Sequence, residues 1–150
     1  MRWRHLSSAG ILLLVLLVPH FGAAGLPITS PFGWRIHPIS GTWRFHSGVD
    51  LGYNEGTPVP AMFDGTVVQA GNFGDGYGNQ ILLYHPASDT YTRYAHLSCI
   101  VIDADTYVTQ GTIIGYVGST GNATGPHLHL EYIVRDGDSY VYADPLVLWQ

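Results

Sequence analysis

Lysine is absent from this sequence, and charged residues of either sign are scarce. The 150 residues include six arginines, eleven acidic residues and a single cysteine. The segments VPAMFDGTVVQAG and VTQGTIIGYVG have the pattern of a biotinyl or lipoyl carrier domain, but such a carrier must present a lysine, so this class is excluded. Cys99 can form no intramolecular disulfide, and a single cysteine makes a structural zinc site improbable. We expect Cys99 to be an inert, partly buried thiol.

The low number of basic residues argues against nucleic acid as a partner. Without residues 1–24, four arginines stand against eleven acidic residues, which gives a net charge of about −7 with neutral histidines. Nucleic-acid binding depends on a basic surface, so we expect no nucleic acid as a partner. An anionic polymer would have to be held by local shape and contacts, because the bulk charge does not attract it.

The longest apolar run lies at the N-terminus. Two arginines precede an apolar segment at 11–18, and small residues follow it, which is the order of a secretory signal peptide. The run stops at Pro19, well short of the roughly 18 residues that span a bilayer. We therefore expect residues 1–24 to be a signal peptide and residues 25–150 to be exported to the periplasm, the cell wall or the medium. An uncleaved membrane anchor is the alternative.

The remainder of the chain has the pattern of an all-β protein. Short apolar runs alternate with glycine-rich turns about every ten residues, which predicts mostly antiparallel sheets, and no window has the period of a long amphipathic helix. Thr57-x-Val59 before GTVV resembles Thr106-x-Val108 before GTII, which suggests two similar β motifs packed together. The expected strands are 65–71, 79–86, 91–98, 111–119 and 127–134.

Alternate polar residues in the segment TGPHLHLE predict a functional strand face. Side chains at positions i and i+2 of a strand share a face and lie roughly 6.6 Å apart, so His127, His129 and Glu131 would lie in one row. Two imidazoles this close can bind one metal ion, or one can bind it while the other acts on a substrate. Spacing alone does not decide which histidine is the ligand. Glu131 either orients an imidazole or is an exposed carboxylate at the rim.

A second cluster lies in the segment FHSGVDLG. His46 and Asp50 have helical spacing, but Gly48 and Gly52 make a helix improbable, so we expect a loop that enters a strand. With the His-x-His pair they complete a set of nitrogen and oxygen donors suited to zinc. Three protein ligands and one open position form the catalytic type of zinc site. The segment YAHLS adds His96 at a strand end, which has no specificity by itself.

Four segments now occur in an order and spacing typical of a known family: SPFGWRIHPISGTWRFHSGVDLG, GYGNQILLYH, TRYAHLS and GTIIGYVGSTGNATGPHLHLE. Together they resemble the M23 family of zinc metallopeptidases, the lysostaphin and LytM type of cell-wall endopeptidase. The resemblance covers the chain from about Pro31 to Asp144. It implies a duplicated, barrel-sandwich-like hybrid motif with a narrow substrate groove. It also implies one zinc ion per chain, with ligands His46, Asp50 and His129 and a catalytic pair His127 and His96.

The function implied by the resemblance is hydrolysis of peptide bonds in the cross-bridges or stem peptides of bacterial peptidoglycan. Zinc-bound water would attack the carbonyl while His127 and His96 transfer protons and stabilise the oxyanion, with the division of these roles open. The alternative is a non-catalytic relative that regulates cell-wall hydrolases or binds the wall, but such proteins lose ligands or catalytic histidines, and here all five are present. We expect a monomer without stable membrane association after signal cleavage. Aromatic residues that could wall a groove, although core packing is their commoner role, are Trp43, Tyr53, Tyr77 and Tyr94.

Overall fold

A computed structural model describes residues 25–37 and 40–150, so the predicted signal peptide lies outside the described residues. The described residues form twelve strands followed by one 3-10 helix, Pro145–Trp149. No helix among them is long and apolar enough to cross a membrane. The strands are Ile28–Ser30 (β1), Gly33–Ile36 (β2), Trp43–His46 (β3), Val49–Leu51 (β4), Pro58–Pro60 (β5), Gly65–Asn72 (β6), Asn79–His85 (β7), Thr90–Ile100 (β8), Tyr107–Val108 (β9), Ile113–Val117 (β10), Leu128–Asp136 (β11) and Ser139–Ala143 (β12).

Antiparallel pairing joins ten of these strands into one sheet. Its main path runs β1, β4, β11, β8, β7, β6, β9, while β10 pairs with β5 and β8, and β12 pairs with β11. Strands β2 and β3 form a separate two-stranded hairpin. All described pairings are antiparallel, which confirms the predicted all-β, mostly antiparallel fold.

The two similar segments of the sequence pair reciprocally. In the first, β5 precedes β6, and in the second, β9 precedes β10. Val59 of β5 pairs with Gly115 of β10, and Val108 of β9 pairs with Gly65 of β6. The short strand of each segment therefore pairs with the longer strand of the other segment, an arrangement compatible with a duplicated motif.

The core lies on one side of the central strands. On β4, Val49 and Leu51 are buried, whereas Asp50 between them is only half-buried and faces the opposite side. On β11, Leu128 and Leu130 are buried in the core cluster. Alternation of side chains therefore leaves the other face of β4 and β11 free to carry polar groups. The remaining fully buried apolar side chains of the cluster include Val59, Val67, Ile81, Leu83, Tyr94, Leu97, Ile114 and Val117.

The five expected strands match β6, β7, β8, β10 and β11, with shifts of one or two residues at the ends. Among the remaining strands, β4 matches the strand that the loop after His46 was expected to enter. The others have two to five residues and show no clear period-two pattern in the sequence. Cys99 differs from the expectation, since it is exposed. Its side chain alternates with those of Ser98 and Ile100 near the end of β8 and takes the outward direction.

Gly48 lies in the loop between β3 and β4, where the backbone passes close to β11. A Cβ atom here would collide with the carbonyl of Leu130 and would lie 2.9 Å from Cε1 of His129. We expect Gly48→Ala to lower the free energy of unfolding by about 1–3 kcal/mol through overpacking, measured by urea denaturation. Gly125→Ala is the matched control, because its Cβ would meet nothing within 4 Å. Equal unfolding free energies for the two variants would contradict this interpretation.

Candidate metal centre and groove

Three side chains from three strands converge on the polar face of the sheet. His46 is the last residue of β3, Asp50 is the middle residue of β4 and His129 lies near the start of β11. The register of β4 and β11 places Asp50 directly opposite His129. One ligand atom from each of the three lies within 4.8 Å of the other two, so the set can hold one metal ion.

Hydrogen bonds outside the cluster determine which ring nitrogens face inward. Nδ1 of His46 donates to the carbonyl of Pro31 at 2.8 Å, and Nε2 of His129 donates to Oε1 of Glu131 at 3.2 Å. A neutral imidazole has a single N–H, so the other nitrogen of each ring presents a lone pair. These two lone pairs and Oδ1 of Asp50 face one another.

The distances between the three inward atoms are suited to a cation between them. Nδ1 of His129 lies 3.1 Å from Nε2 of His46 and 2.8 Å from Oδ1 of Asp50, and Nε2 of His46 lies 3.2 Å from the same oxygen. Three lone pairs this close repel one another unless a proton or a metal ion lies among them. Ligands about 2.0–2.1 Å from a tetrahedral zinc ion are spaced by roughly 3.3 Å, so the donor set and its spacing fit zinc.

Electrostatics at the cluster also favour a bound cation. Burial opposes ionisation of Asp50, but the hydrogen bonds and charges of His129 and His46 outweigh it and hold the pKa of Asp50 well below its usual range. Burial would lower the pKa of His129, but the carboxylates of Asp50 and Glu131 outweigh it and raise that pKa. A proton therefore competes with a metal ion for His129, and metal affinity should fall in acid.

Two further imidazoles lie beside this cluster with their Nδ1 atoms already used. Nδ1 of His96 donates to the carbonyl of Thr120 at 2.8 Å, and Nδ1 of His127 donates to the carbonyl of Gly125 at 2.9 Å. Nε2 of His127 is 3.7 Å from Oδ1 of Asp50, and the centroids of the two rings are 4.8 Å apart. In its neutral form, each ring therefore keeps an Nε2 lone pair that can accept a proton.

A backbone irregularity brings His96 into the groove. Strict alternation along β8 would place its side chain on the same side as Tyr94, which is buried in the core. His96 instead has φ of 60°, in the left-handed region that L-residues rarely adopt, and the register between β7 and β8 shifts at this point. The amide of His96 still donates to the carbonyl of Tyr77 at 2.8 Å. The strained backbone therefore turns the imidazole toward the metal ligands.

A buried carboxylate supports His129 from behind. Glu131 is fully buried, and Oε1 accepts hydrogen bonds from Ser47 at 2.5 Å and from the Tyr77 hydroxyl at 2.7 Å, besides the bond from His129. Arg93 forms an ion pair with Oε2 at 3.2 Å and stacks over the Tyr77 ring, 4.5 Å from its centroid. Burial opposes ionisation of Glu131, but the hydrogen bond and charge of His129, together with the hydrogen bonds of Ser47 and Tyr77, outweigh it and lower the pKa of Glu131. The carboxylate therefore fixes the orientation of the ring.

The comparisons with known proteins agree with this geometry. The family model "Peptidase family M23" matches residues 44–142, which include both histidine pairs and Asp50. The chain belongs to peptidase family M23. A curated M23-like relative, the DD-carboxypeptidase/endopeptidase Mpg of Neisseria meningitidis, is 51% identical over 104 residues, which are 69% of this chain and 24% of that protein. The chain thus spans about a quarter of the length of the curated relatives it matches.

Solved structures show the same fold. The catalytic domain of the antimicrobial peptidase lysostaphin from Staphylococcus simulans aligns with a TM-score of 0.73 and 36% identity, over 84% of this chain and 93% of that domain. A zinc-containing peptidase from Vibrio cholerae aligns with a TM-score of 0.68 and 35% identity, over 82% of this chain and 36% of that protein. This M23 chain therefore corresponds to one catalytic domain of such proteins.

The structure locates each candidate residue that the sequence analysis named, and most of them lie in the site of this M23 chain. His46, Asp50, His96, His127 and His129 all line one groove, together with Tyr77. Glu131 is buried behind His129 and binds its ring, so it is not an exposed carboxylate at the rim. The other three aromatic candidates lie elsewhere. Tyr94 is core, Tyr53 packs against the core, and Trp43 is an exposed residue of the β2–β3 hairpin.

Several groups of the site were not identified in the sequence. Ser47 and Arg93 bind the Glu131 carboxylate, while carbonyls of Pro31, Thr120 and Gly125 orient histidines. Every residue has a backbone carbonyl, so the amino-acid sequence does not show which carbonyls will bind a histidine. Arg93 pairs with Glu131 only through the register of β8 and β11, which depends on the fold. Ser47 could have been noticed, because it follows His46 directly.

Loss of the Glu131 charge should weaken metal binding. We expect Glu131→Gln to reduce zinc affinity about 10- to 100-fold, because the ring of His129 loses its charged acceptor. The measurement is competition with a chromophoric chelator at neutral pH. Asp136→Asn is the matched control, since it removes one negative charge from the exposed end of the same strand. Unchanged zinc affinity in a folded Glu131→Gln protein would show that the carboxylate does not position His129.

Proposed function

We propose that this chain is a zinc-dependent metalloendopeptidase that is exported and hydrolyses peptide bonds in bacterial peptidoglycan. The observation that carries the proposal is the convergence of five side chains in one groove. Three of them, His46, Asp50 and His129, present inward lone pairs at ligand spacing, and two imidazoles, His96 and His127, lie beside them with accepting nitrogens. A regulator of cell-wall hydrolases without activity would not need both sets to be complete.

The donor set would hold one zinc ion through two neutral imidazoles and one carboxylate. Such an ion supplies Lewis-acid activation of water and of a peptide carbonyl at neutral pH. The chain itself supplies the position, because Pro31 and Glu131 hold the outer nitrogens of the two ligand rings. The ligand geometry is therefore formed before a metal ion or substrate arrives.

His96 and His127 would carry the proton transfers. Their Nδ1 atoms donate to backbone carbonyls, so Nε2 of each ring can accept the proton of the attacking water and return it to the leaving amine. In its protonated form either ring can also donate a hydrogen bond to the oxyanion. Burial lowers the pKa of His96, so this ring is neutral and able to accept a proton near pH 7. We assign proton transfer and stabilisation of the oxyanion to His96 and His127 together, without giving one role to each ring.

The substrate proposal is supported by the relatives. One of them is named DD-carboxypeptidase/endopeptidase, another is a peptidoglycan DD-endopeptidase of Vibrio cholerae, and a similar structure is an antimicrobial peptidase. We infer that the substrate is a peptide cross-bridge or stem peptide of peptidoglycan. The N-terminal sequence pattern supports export through cleavage after about residue 24, with an uncleaved anchor as the alternative, and we propose that the enzyme is monomeric.

Digestion of purified peptidoglycan tests the proposed activity. We expect the zinc-loaded full-length chain to release new amino termini from sacculi of at least one cross-link chemotype, with the cleaved bond identified by mass spectrometry. His129→Ala should abolish the release, because the metal site loses a ligand. Absence of new termini from every chemotype, with no difference between wild type and His129→Ala, would refute the peptidase proposal.

Metal content separates the ligands from the proton-transfer residues. We expect the wild type to hold about one zinc per chain by elemental analysis and Asp50→Ala to lose most of it. His96→Ala and His127→Ala should keep the zinc while hydrolysis slows by about 100- to 10,000-fold, the usual contribution of a general acid or base. Loss of zinc from the His96 or His127 variants, or full zinc in Asp50→Ala, would contradict the assignment.

A further inference from the structure

The β2–β3 hairpin forms one wall of the groove and has two chemically different faces. Its register pairs Trp34 with Phe45 on one face and Arg35 with Arg44 on the other. His46 shares the face of Arg44, because residues i and i+2 of a strand point the same way. Both arginines line the same pocket as the metal-ligand cluster. A pair of guanidinium groups therefore stands next to the site of hydrolysis.

Neither guanidinium has an acidic partner within residues 25–37 and 40–150. The other two arginines of this region are paired, Arg93 with Glu131 and Arg135 with Asp89. Nε of Arg35 is shielded from solvent and has no hydrogen-bond partner in the described part of the chain. A buried donor without an acceptor is costly, so an acceptor group that reached this atom from the groove would remove that cost.

The opposed positions of Arg35 and Arg44 also lower the stability of the hairpin. Like charges at directly opposed positions of an antiparallel pair are destabilising. After residue 24 the chain has four arginines, no lysine and eleven acidic residues, yet two of the four lie side by side on this groove wall. Arg35 also precedes the residues that the family model matches. The simplest physical account is an anion that binds between them.

We propose that Arg35 and Arg44 bind a free carboxylate of the peptide substrate, within about two residues of the bond that is cut. This inference rests on the proposed peptidase function. Guanidinium groups match carboxylates through paired N–H donors, and such charged hydrogen bonds are stronger than neutral ones. Arg44 lies two positions from His46, about 6.6 Å along the strand, which is the length of about two extended substrate residues. The carboxylate belongs either to a peptide terminus or to the diamino acid of a stem peptide.

Three synthetic peptides distinguish these sources. The parent is L-Ala-D-isoglutaminyl-meso-diaminopimelyl-D-Ala-D-Ala with a free C-terminus, in which the amide of isoglutamine removes the third carboxylate. The second is its C-terminal carboxamide, and the third has lysine in place of meso-diaminopimelate. We expect the zinc-loaded full-length chain to favour the parent over one of the two by about 10- to 100-fold in kcat/KM, mainly through KM. Whichever change removes the preference identifies the carboxylate that is bound.

Arg44→Gln and Arg35→Gln should each remove the preference, so that the parent and the carboxylate-deficient peptide are cut with similar kcat/KM. Arg135→Gln is the matched control, because it removes one arginine that is paired with Asp89 outside the groove, and it should keep the preference. A purely structural arginine would instead slow cleavage of all three peptides by the same factor. That result, or equal cleavage of all three peptides by the wild type, overturns the proposal.

Binding and stability give readouts that do not depend on hydrolysis. Calorimetric titration with the three peptides should show the same preference in Kd, and added salt should weaken it. Without peptide, Arg44→Gln should unfold at the same or a higher temperature than the wild type, because the repulsion between opposed arginines is relieved. If neither sacculi nor peptides are cut, the peptidase function fails, and the titration still decides on the arginines. Equal Kd values for all three peptides would then overturn the carboxylate site.

Discussion

The antiparallel pairing of β4 with β11 is the constraint on which the site depends. Its register places Asp50 opposite His129 and Leu51 opposite Leu128. The leucines pack into the core, so the aspartate and the histidine must point to the other face. A slip of one residue would exchange the two faces and bury the ligands in the core. The hydrophobic core on one face of these strands therefore sets the ligand geometry on the other face.

The charge balance around His129 favours a cation at the site. The ring lies between two carboxylates, Asp50 at Nδ1 and Glu131 at Nε2, and Arg93 compensates only one of them. With neutral imidazoles the centre carries one excess negative charge, which raises the pKa of His129 because a proton is the available counter-charge. A divalent ion would replace that proton and leave the centre with net positive charge. The same buried groups thus favour metal binding and retain the positive charge that a Lewis acid requires.

The sequence contained the signals for most of this site, but not for its orientation. The alternation in HLHLE and the resemblance carried by the four motifs predicted five polar side chains, and the structure brings these five into one groove. The long strands followed from their apolar periods. The sequence pattern could not place His96, because alternation along β8 directs it to the core and only the left-handed backbone at that residue directs it to the groove. It also left Glu131 undecided. The role of Glu131 depends on Arg93, which approaches through the register of β8 and β11, and on Tyr77, which approaches from a loop. Neither approach can be deduced from the residues next to Glu131 in the sequence.

The parts of the groove differ in how they are built, and this suggests how chemistry and selectivity are divided in this M23 chain. The floor consists of central strands whose side chains are held by the core and by buried hydrogen bonds, so its geometry tolerates little change. The wall formed by β2 and β3 is a two-stranded ribbon outside the main sheet, with apolar side chains exposed on its outer face. Of the three candidate metal ligands, only His46, the last residue of β3, belongs to this wall. Under the proposed function, the wall would select the substrate while the floor supplies the reaction.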